Sequence, residues 1–209
     1  MRKLLYTAVL VAATSFTVLA QQTWLELEAT KQLGEKFEIF LAPELRYTEN
    51  FKLDEYFIEP GVEYKFNDYF AMVGSYRIGN NLNKKGEDRW FGRFAVDAKT
   101  GYEWRNLEAK LRFRYTNSDD FTGDEKTNYF RTKLELEYSI KRPGLQPYFA
   151  YEFYRDLDVG EFSKDRWETG IQYKINRHHR VSAYFRLNDY LHSDKETIKI
   201  VGLCYKLKL

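Results

Sequence analysis

The chain has 209 residues, with 33 Lys and Arg against 31 Asp and Glu, a formal net charge of +2, and aromatic residues at 18%. Charge so evenly balanced gives no field to attract nucleic acid or an acidic partner, and a single cysteine, Cys204, excludes a disulfide framework within the chain. The 17 Tyr and 16 Phe against four Pro favour strands over helices.

Residues 1–20, MRKLLYTAVLVAATSFTVLA, join Arg2 and Lys3 to a short apolar run ending in Ala20, the pattern of a secretory signal peptide. No cysteine follows the run, so no lipid anchor on the mature N-terminus is expected. The fold is expected to begin near Gln21 and to form one domain over residues 21–209. Beyond residue 20 nothing approaches the ~18 apolar residues of a transmembrane helix. The chain's negative mean hydropathy does not argue against a membrane strand, whose signal lies in alternation.

Runs with a period of two begin near Thr23, Phe37, Tyr56, Tyr69, Arg89, Asn106, Tyr129, Gln146, Arg166, Arg180 and Thr197. Each is about ten to thirteen residues long, the reach a tilted strand needs to cross a bilayer. Their connections alternate. Short ones fall at QLGEK, FNDY, WRN, KRPGL and NRHH, and longer polar ones at TENFKLDE, NNLNKKGED, NSDDFTGDEKTN, DLDVGEFSKD and LHSDKE. Short turns at one end and long loops at the other predict an all-β, up-and-down antiparallel transmembrane barrel of about 10–12 strands. Eleven is an odd count where even ones prevail, so either Thr23 to Lys31 pairs unusually or one segment is miscounted.

The hairpin recurs in the letters themselves, as in GVEYKFNDYFAMVGSYRIGN, TGYEWRNLEAKLRFRYTN and TGIQYKINRHHRVSAYFRLND, with a final half copy VGLCYKLKL. Tyr64, Tyr102, Tyr138, Tyr173 and Tyr205 each precede a short turn or the terminus, on the apolar parity. A ring of tyrosine at one depth is an aromatic girdle, because the ring prefers apolar surroundings and the hydroxyl the wet interface. Tyr47, Tyr56, Trp90, Tyr115 and Trp167 would make the girdle at the other rim. Pro43 and Pro60 fall mid-strand in neighbouring runs, where a closed barrel has no free edge, so bulges or a local gap are expected there.

In LEAKLRFRYTNS, Leu107, Ala109, Leu111, Phe113 and Tyr115 alternate with Glu108, Lys110, Arg112 and Arg114. One Lys or Arg turned to lipid at mid-bilayer costs about 2 to 4 kcal/mol. A fold stable by roughly 5 to 15 kcal/mol cannot absorb a dozen such errors, so the ionic parity must line the lumen. Arg46, Arg77, Arg93, Arg112, Arg114, Arg131 and Arg186 then form a basic collar in the outer half. Glu38, Glu63, Glu103, Glu108, Glu135 and Glu137 lie towards the turns in a mixed, more acidic belt. Two readings of this interior stay open: opposite signs pair into a closed, salt-bridged filling, or the collar draws small anions through a water-filled passage.

TWLELEATKQLGEKFEIFLAPELRY, followed by FIEPGVEYKFNDYFAMVGSYR, resembles an uncharacterised family of outer-membrane β-barrels from Gram-negative bacteria, a domain of unknown function. The resemblance covers nearly all of the mature chain. It implies a bacterial outer-membrane location and a barrel, with no activity and no site residues to carry over.

Candidate chemistry is sparse. His178 and His179 are adjacent in a turn, and His192, Ser193 and Asp194 are consecutive loop residues, a poor basis for a positioned base and nucleophile. Asp119, Asp120, Asp124 and Glu125 lack the spacing of a calcium loop. The sequence therefore predicts no catalytic residue, metal or cofactor. It predicts a non-enzymatic barrel, a narrow pore or a structural one, whose partners are outer-membrane lipid and, through the terminal strand YKLKL, the outer-membrane assembly machinery. A lipid-modifying enzyme is the remote alternative.

Overall fold

The structure is a computed structural model, and it describes residues 20–82, 89–119, 121, 126–140, 144–192 and 195–209. Residues 1–19, where the sequence predicts a signal peptide, and loop residues Asp120, Asp124, Glu125, Ser193 and Asp194 lie outside the described residues.

Among the described residues eleven strands close into one barrel. They are β1 (Gln22–Leu33), β2 (Phe37–Thr48), β3 (Leu53–Lys65), β4 (Phe70–Asn81), β5 (Arg89–Trp104), β6 (Leu107–Asp119), β7 (Lys126–Tyr138), β8 (Leu145–Asp156), β9 (Phe162–Lys174), β10 (His179–Tyr190) and β11 (Ile198–Lys208). The largest departures from the expected starts are at β3, β7 and β9, whose leading residues LDE, KTN and FSKD show no clear apolar alternation yet still pair with their neighbours.

Consecutive strands pair antiparallel, so with an odd number the first and last must run the same way. β1 and β11 do so, in a parallel ladder from Gln22↔Ile200 to Thr30↔Lys208. The unusual pairing of the first segment is therefore the answer to the odd count. Backbone bonds from Gln21 N to Lys199 O (2.9 Å) and from Leu209 N to Thr30 O (2.8 Å) fasten the two ends of this seam.

Pro43 and Pro60 produce gaps and not bulges. The β2–β3 ladder passes both without a break. The β1–β2 ladder omits Leu27 and Glu28 opposite Pro43 and Ala42, then resumes in the same register. The β3–β4 ladder likewise omits Glu59 and Pro60. Each proline thus presents its missing donor to the neighbour that does not carry the other proline, and the cost stays local.

Side-chain chemistry tightens the short turns. Asn67 Oδ1 accepts from the backbone N–H groups of Tyr69 (2.9 Å) and Phe70 (2.8 Å). Asn176 Oδ1 does the same for His178 and His179. Such Asx turns are what Asn supplies between paired strands.

The usual inside and outside are exchanged. Glu152 and Asp97 are 1% exposed, whereas Leu27 is 44% and Leu203 49% exposed. The outer wall carries a continuous apolar cover that includes Leu41, Ile58, Phe94, Leu134, Phe149 and Ile171. The lumen holds the ions and a set of large rings. Four of these rings lie directly across a ladder from glycine: Phe40 on Gly61, Phe57 on Gly79, Tyr148 on Gly170 and Tyr184 on Gly202. A Cβ at Gly61, Gly170 or Gly202 would collide with the facing ring, and one at Gly79 with the Cβ of Phe57 and the ring of Phe91. The glycine therefore makes room for the aromatic side chain to lie flat against the wall.

Candidate functional site

Alternation places the side chains of Arg46, Arg77, Arg93, Arg112, Arg114, Arg131 and Arg186 in the lumen, and all seven line one cavity of about 1680 Å³. Its wall includes Asn67 and Glu103 near the short turns and Lys164 and Tyr190 near the long loops, so the cavity extends between the two ends of the barrel.

The arginines do not form a bare ring, because carboxylates stand among them. Glu152 on β8 is the hub. It accepts from Arg112 (2.7 Å), from Arg131 through two bonds (3.1 and 3.0 Å), from Arg166 (3.4 Å) and from the Tyr154 hydroxyl (3.1 Å). Asp97 takes a two-point bond from Arg114 (2.5 and 2.7 Å). Glu59 binds Arg77 and the Ser75 hydroxyl. Arg46 spans Glu44 and Glu55, and Arg186 binds Glu168, which also accepts from Tyr148. Tyr184 donates to Glu26 across the seam. Charges removed from water need such partners, since an unpaired buried ion costs several kcal/mol.

Aromatic faces take up part of the remaining cationic surface. The Arg46 guanidinium lies 3.8 Å from the Trp24 ring, that of Arg77 3.6 Å from Phe57 and that of Arg131 4.4 Å from Tyr154. The quadrupole of each ring favours a cation over its face.

Towards the short turns the wall is richer in acid and less enclosed. Lys110 reaches Glu137 (2.8 Å), Glu108 (3.2 Å) and Glu135 (3.7 Å), Lys133 binds Glu135 (2.7 Å), and Lys99 binds Glu63 (2.9 Å). Like charges also sit opposite one another, at Glu38↔Glu63 and Glu103↔Glu108. Glu103 is exposed at the rim.

On the outer wall Tyr102, Tyr138 and Tyr173 are exposed beside the short turns, with Tyr64 and Tyr205 half-buried at the same end. Tyr64 lies between Phe37, tilted against it, and Phe66, which it meets edge to face, and the Tyr205 hydroxyl contacts His179 Nδ1 (2.5 Å). At the opposite end Tyr56 meets Trp90 edge to face, and Trp167 packs on Tyr151. His178 turns instead to the Lys208 carbonyl (2.8 Å). Among the described residues no group of three or more His, Cys, Asp or Glu is arranged to hold a metal ion. Cys204 is a free, buried thiol on the lumen wall.

Sequence reasoning did not assign Lys164, Arg166, Glu26, Glu55 or Glu168 to the lumen. Counting back from the alternation of β9 (Trp167 outward, hence Arg166 and Glu168 inward) would have found three of them.

A closed all-β barrel whose wall is apolar outside and ionic inside is porin-like in fold. Residues 21–197 match the family model described as "Protein of unknown function (DUF2490)", and the chain belongs to that family. No curated protein matches it. Among solved structures it is similar to a KdgM porin in complex with disordered oligogalacturonate. The match has a TM-score of 0.50 at 10% identity and covers 86% of each chain. At that identity the likeness is one of fold.

Proposed function

We propose that this protein is an outer-membrane pore for small anionic solutes. The cavity that extends from Asn67 to Tyr190 with arginines along its wall carries this reading. Eight-stranded barrels are filled by their own side chains, whereas larger ones leave room, and rings of basic side chains favour anions. The apolar wall fits a hydrocarbon environment and the aromatic rims fit its interfaces. The long loops then face outward, and the terminal strand of β11 is the segment offered to the assembly machinery. The fold shared with a porin observed with oligogalacturonate is in keeping with solute passage.

The ion pairing around Glu152 favours a second reading, a structural barrel closed by its own salt bridges. Planar-bilayer recording separates the two. The pore reading predicts unitary currents whose reversal potential in a KCl gradient shifts towards chloride. Flat traces from folded protein support the closed barrel, and a cation preference contradicts the anionic solute.

A further inference from the structure

The outer half of the lumen contains more positive charge than its carboxylates neutralise. Arg131, Lys164 and Arg166 gather on the Tyr154 ring (4.4, 4.0 and 5.2 Å to its centroid), Arg93 and Arg112 line the same cavity, and among the described residues the one carboxylate ion-paired to any of these five cations is Glu152. Arg114 and Arg77 have acids of their own in Asp97 and Glu59. Asp156, at the rim end of β8, accepts from the N–H groups of Asp158 and Val159 in its loop (2.9 and 3.2 Å).

Arg93 and Lys164 stand out within this group. Among the described residues no carboxylate lies within ion-pair distance of either. Arg93 donates to the Ser118 hydroxyl (2.5 Å) and faces Arg77 across its ladder. Lys164 lies over the rings of Tyr154 (4.0 Å) and Tyr190 (5.6 Å). The charges acting on Lys164 include those of Arg166, Arg131 and Arg93. Acids that act on the pair from further off include Glu55 on Arg93 and Glu152 on Lys164. Both are already engaged, Glu55 by Arg46 and Glu152 by three arginines. Both cations line the cavity, with Tyr129 and Tyr190 beside them.

From this arrangement we infer that Arg93 and Lys164 form a binding site for a multiply charged oxyanion, a phosphate or a phosphoryl group on a small solute. The neighbourhood is rich in donors and poor in acceptors, so its complement is a group that only accepts and carries more than one charge. A guanidinium presents a fork of N–H donors suited to phosphate oxygens, and an ammonium adds a compact charge beside it. Such a ligand would supply the counter-charge that the protein itself leaves out. The inference deepens the anion-pore reading, but a closed barrel open at its outer mouth could hold the same ion.

The test is calorimetric titration of the folded barrel in detergent micelles with inorganic phosphate, pyrophosphate and acetate. Phosphate and pyrophosphate are expected to bind at least about tenfold more tightly than acetate. Arg93→Gln and Lys164→Gln are each expected to weaken phosphate by about tenfold or more, and Arg93→Lys, which keeps the charge and loses the fork, to weaken it less than Arg93→Gln. Both Gln variants relieve like-charge repulsion and should fold, as retention of the compact band on unheated gels will report. Unchanged phosphate affinity in the double variant, or acetate bound as well as phosphate, overturns the site. Phosphate binding without bilayer current would instead refute the pore and leave the site standing.

Discussion

Replacing Glu152 with Gln keeps its shape and removes the charge shared by three arginines. In the native barrel this 1% exposed carboxylate receives Arg112 at 2.7 Å, Arg131 through a two-point contact, Arg166 at 3.4 Å and the Tyr154 hydroxyl at 3.1 Å. An amide has one acceptor oxygen and adds two donors that point at other donors. Breaking a buried pair by removing one partner costs about 3 to 5 kcal/mol. That is a large part of the ~5 to 15 kcal/mol that holds a typical domain together. Glu152 lines the cavity, so solvent or an anion entering from it would offset part of the loss. Reversible urea unfolding in lipid vesicles, followed by tryptophan fluorescence, should therefore show Glu152→Gln destabilised by about 3 kcal/mol at low salt, with a substantial part recovered on adding phosphate. A loss below about 1 kcal/mol, or one insensitive to anions, would refute the view that Glu152 neutralises the cluster.

Leu134→Arg puts a cation on the apolar wall next to Lys133, which faces the lumen. It should cost about 2 to 4 kcal/mol in the same unfolding assay, and a neutral outcome would mean that this face is not in lipid. Gly202→Ala drives a methyl group into the Tyr184 ring and so breaks that hydroxyl's bond to Glu26 beside the β1–β11 seam. Overpacking of this kind costs about 1 to 3 kcal/mol, with faster hydrogen exchange expected at Trp24 to Leu27. Gly74→Ala, where a Cβ meets nothing, is the matched control and should leave stability and exchange nearly unchanged.

Where apolar and ionic residues alternate, the face that a strand residue occupies was legible in the sequence because a period of two is local. Arg112 and Leu111 need only their neighbours to be assigned. The barrel itself followed from the alternation of short and long connections. The partner of a charge was not legible. Glu152 meets Arg112 forty residues away because the curvature of the closed wall brings β6 close to β8, and that depends on register and closure. For the same reason the division into basic collar and acidic belt seen in the sequence is blurred in space, where Glu59, Asp97 and Glu152 stand among the arginines. The glycine positions opposite Tyr148 and Tyr184 also became meaningful only once the ladder was known. At β9 the polar start FSKD hid Lys164 and Arg166, although they share the inward parity of Glu168.

The most direct test of the account is a pair of spin labels, at Leu111→Cys and Arg112→Cys, in a Cys204→Ser background and in lipid bilayers. Adjacent on β6, the two labels should report opposite surroundings. The label at 111 should be open to oxygen dissolved in hydrocarbon and shielded from a water-soluble nickel chelate, and the label at 112 the reverse. Equal exposure of both to the chelate would contradict a barrel that turns its apolar face to lipid and encloses its charges around water.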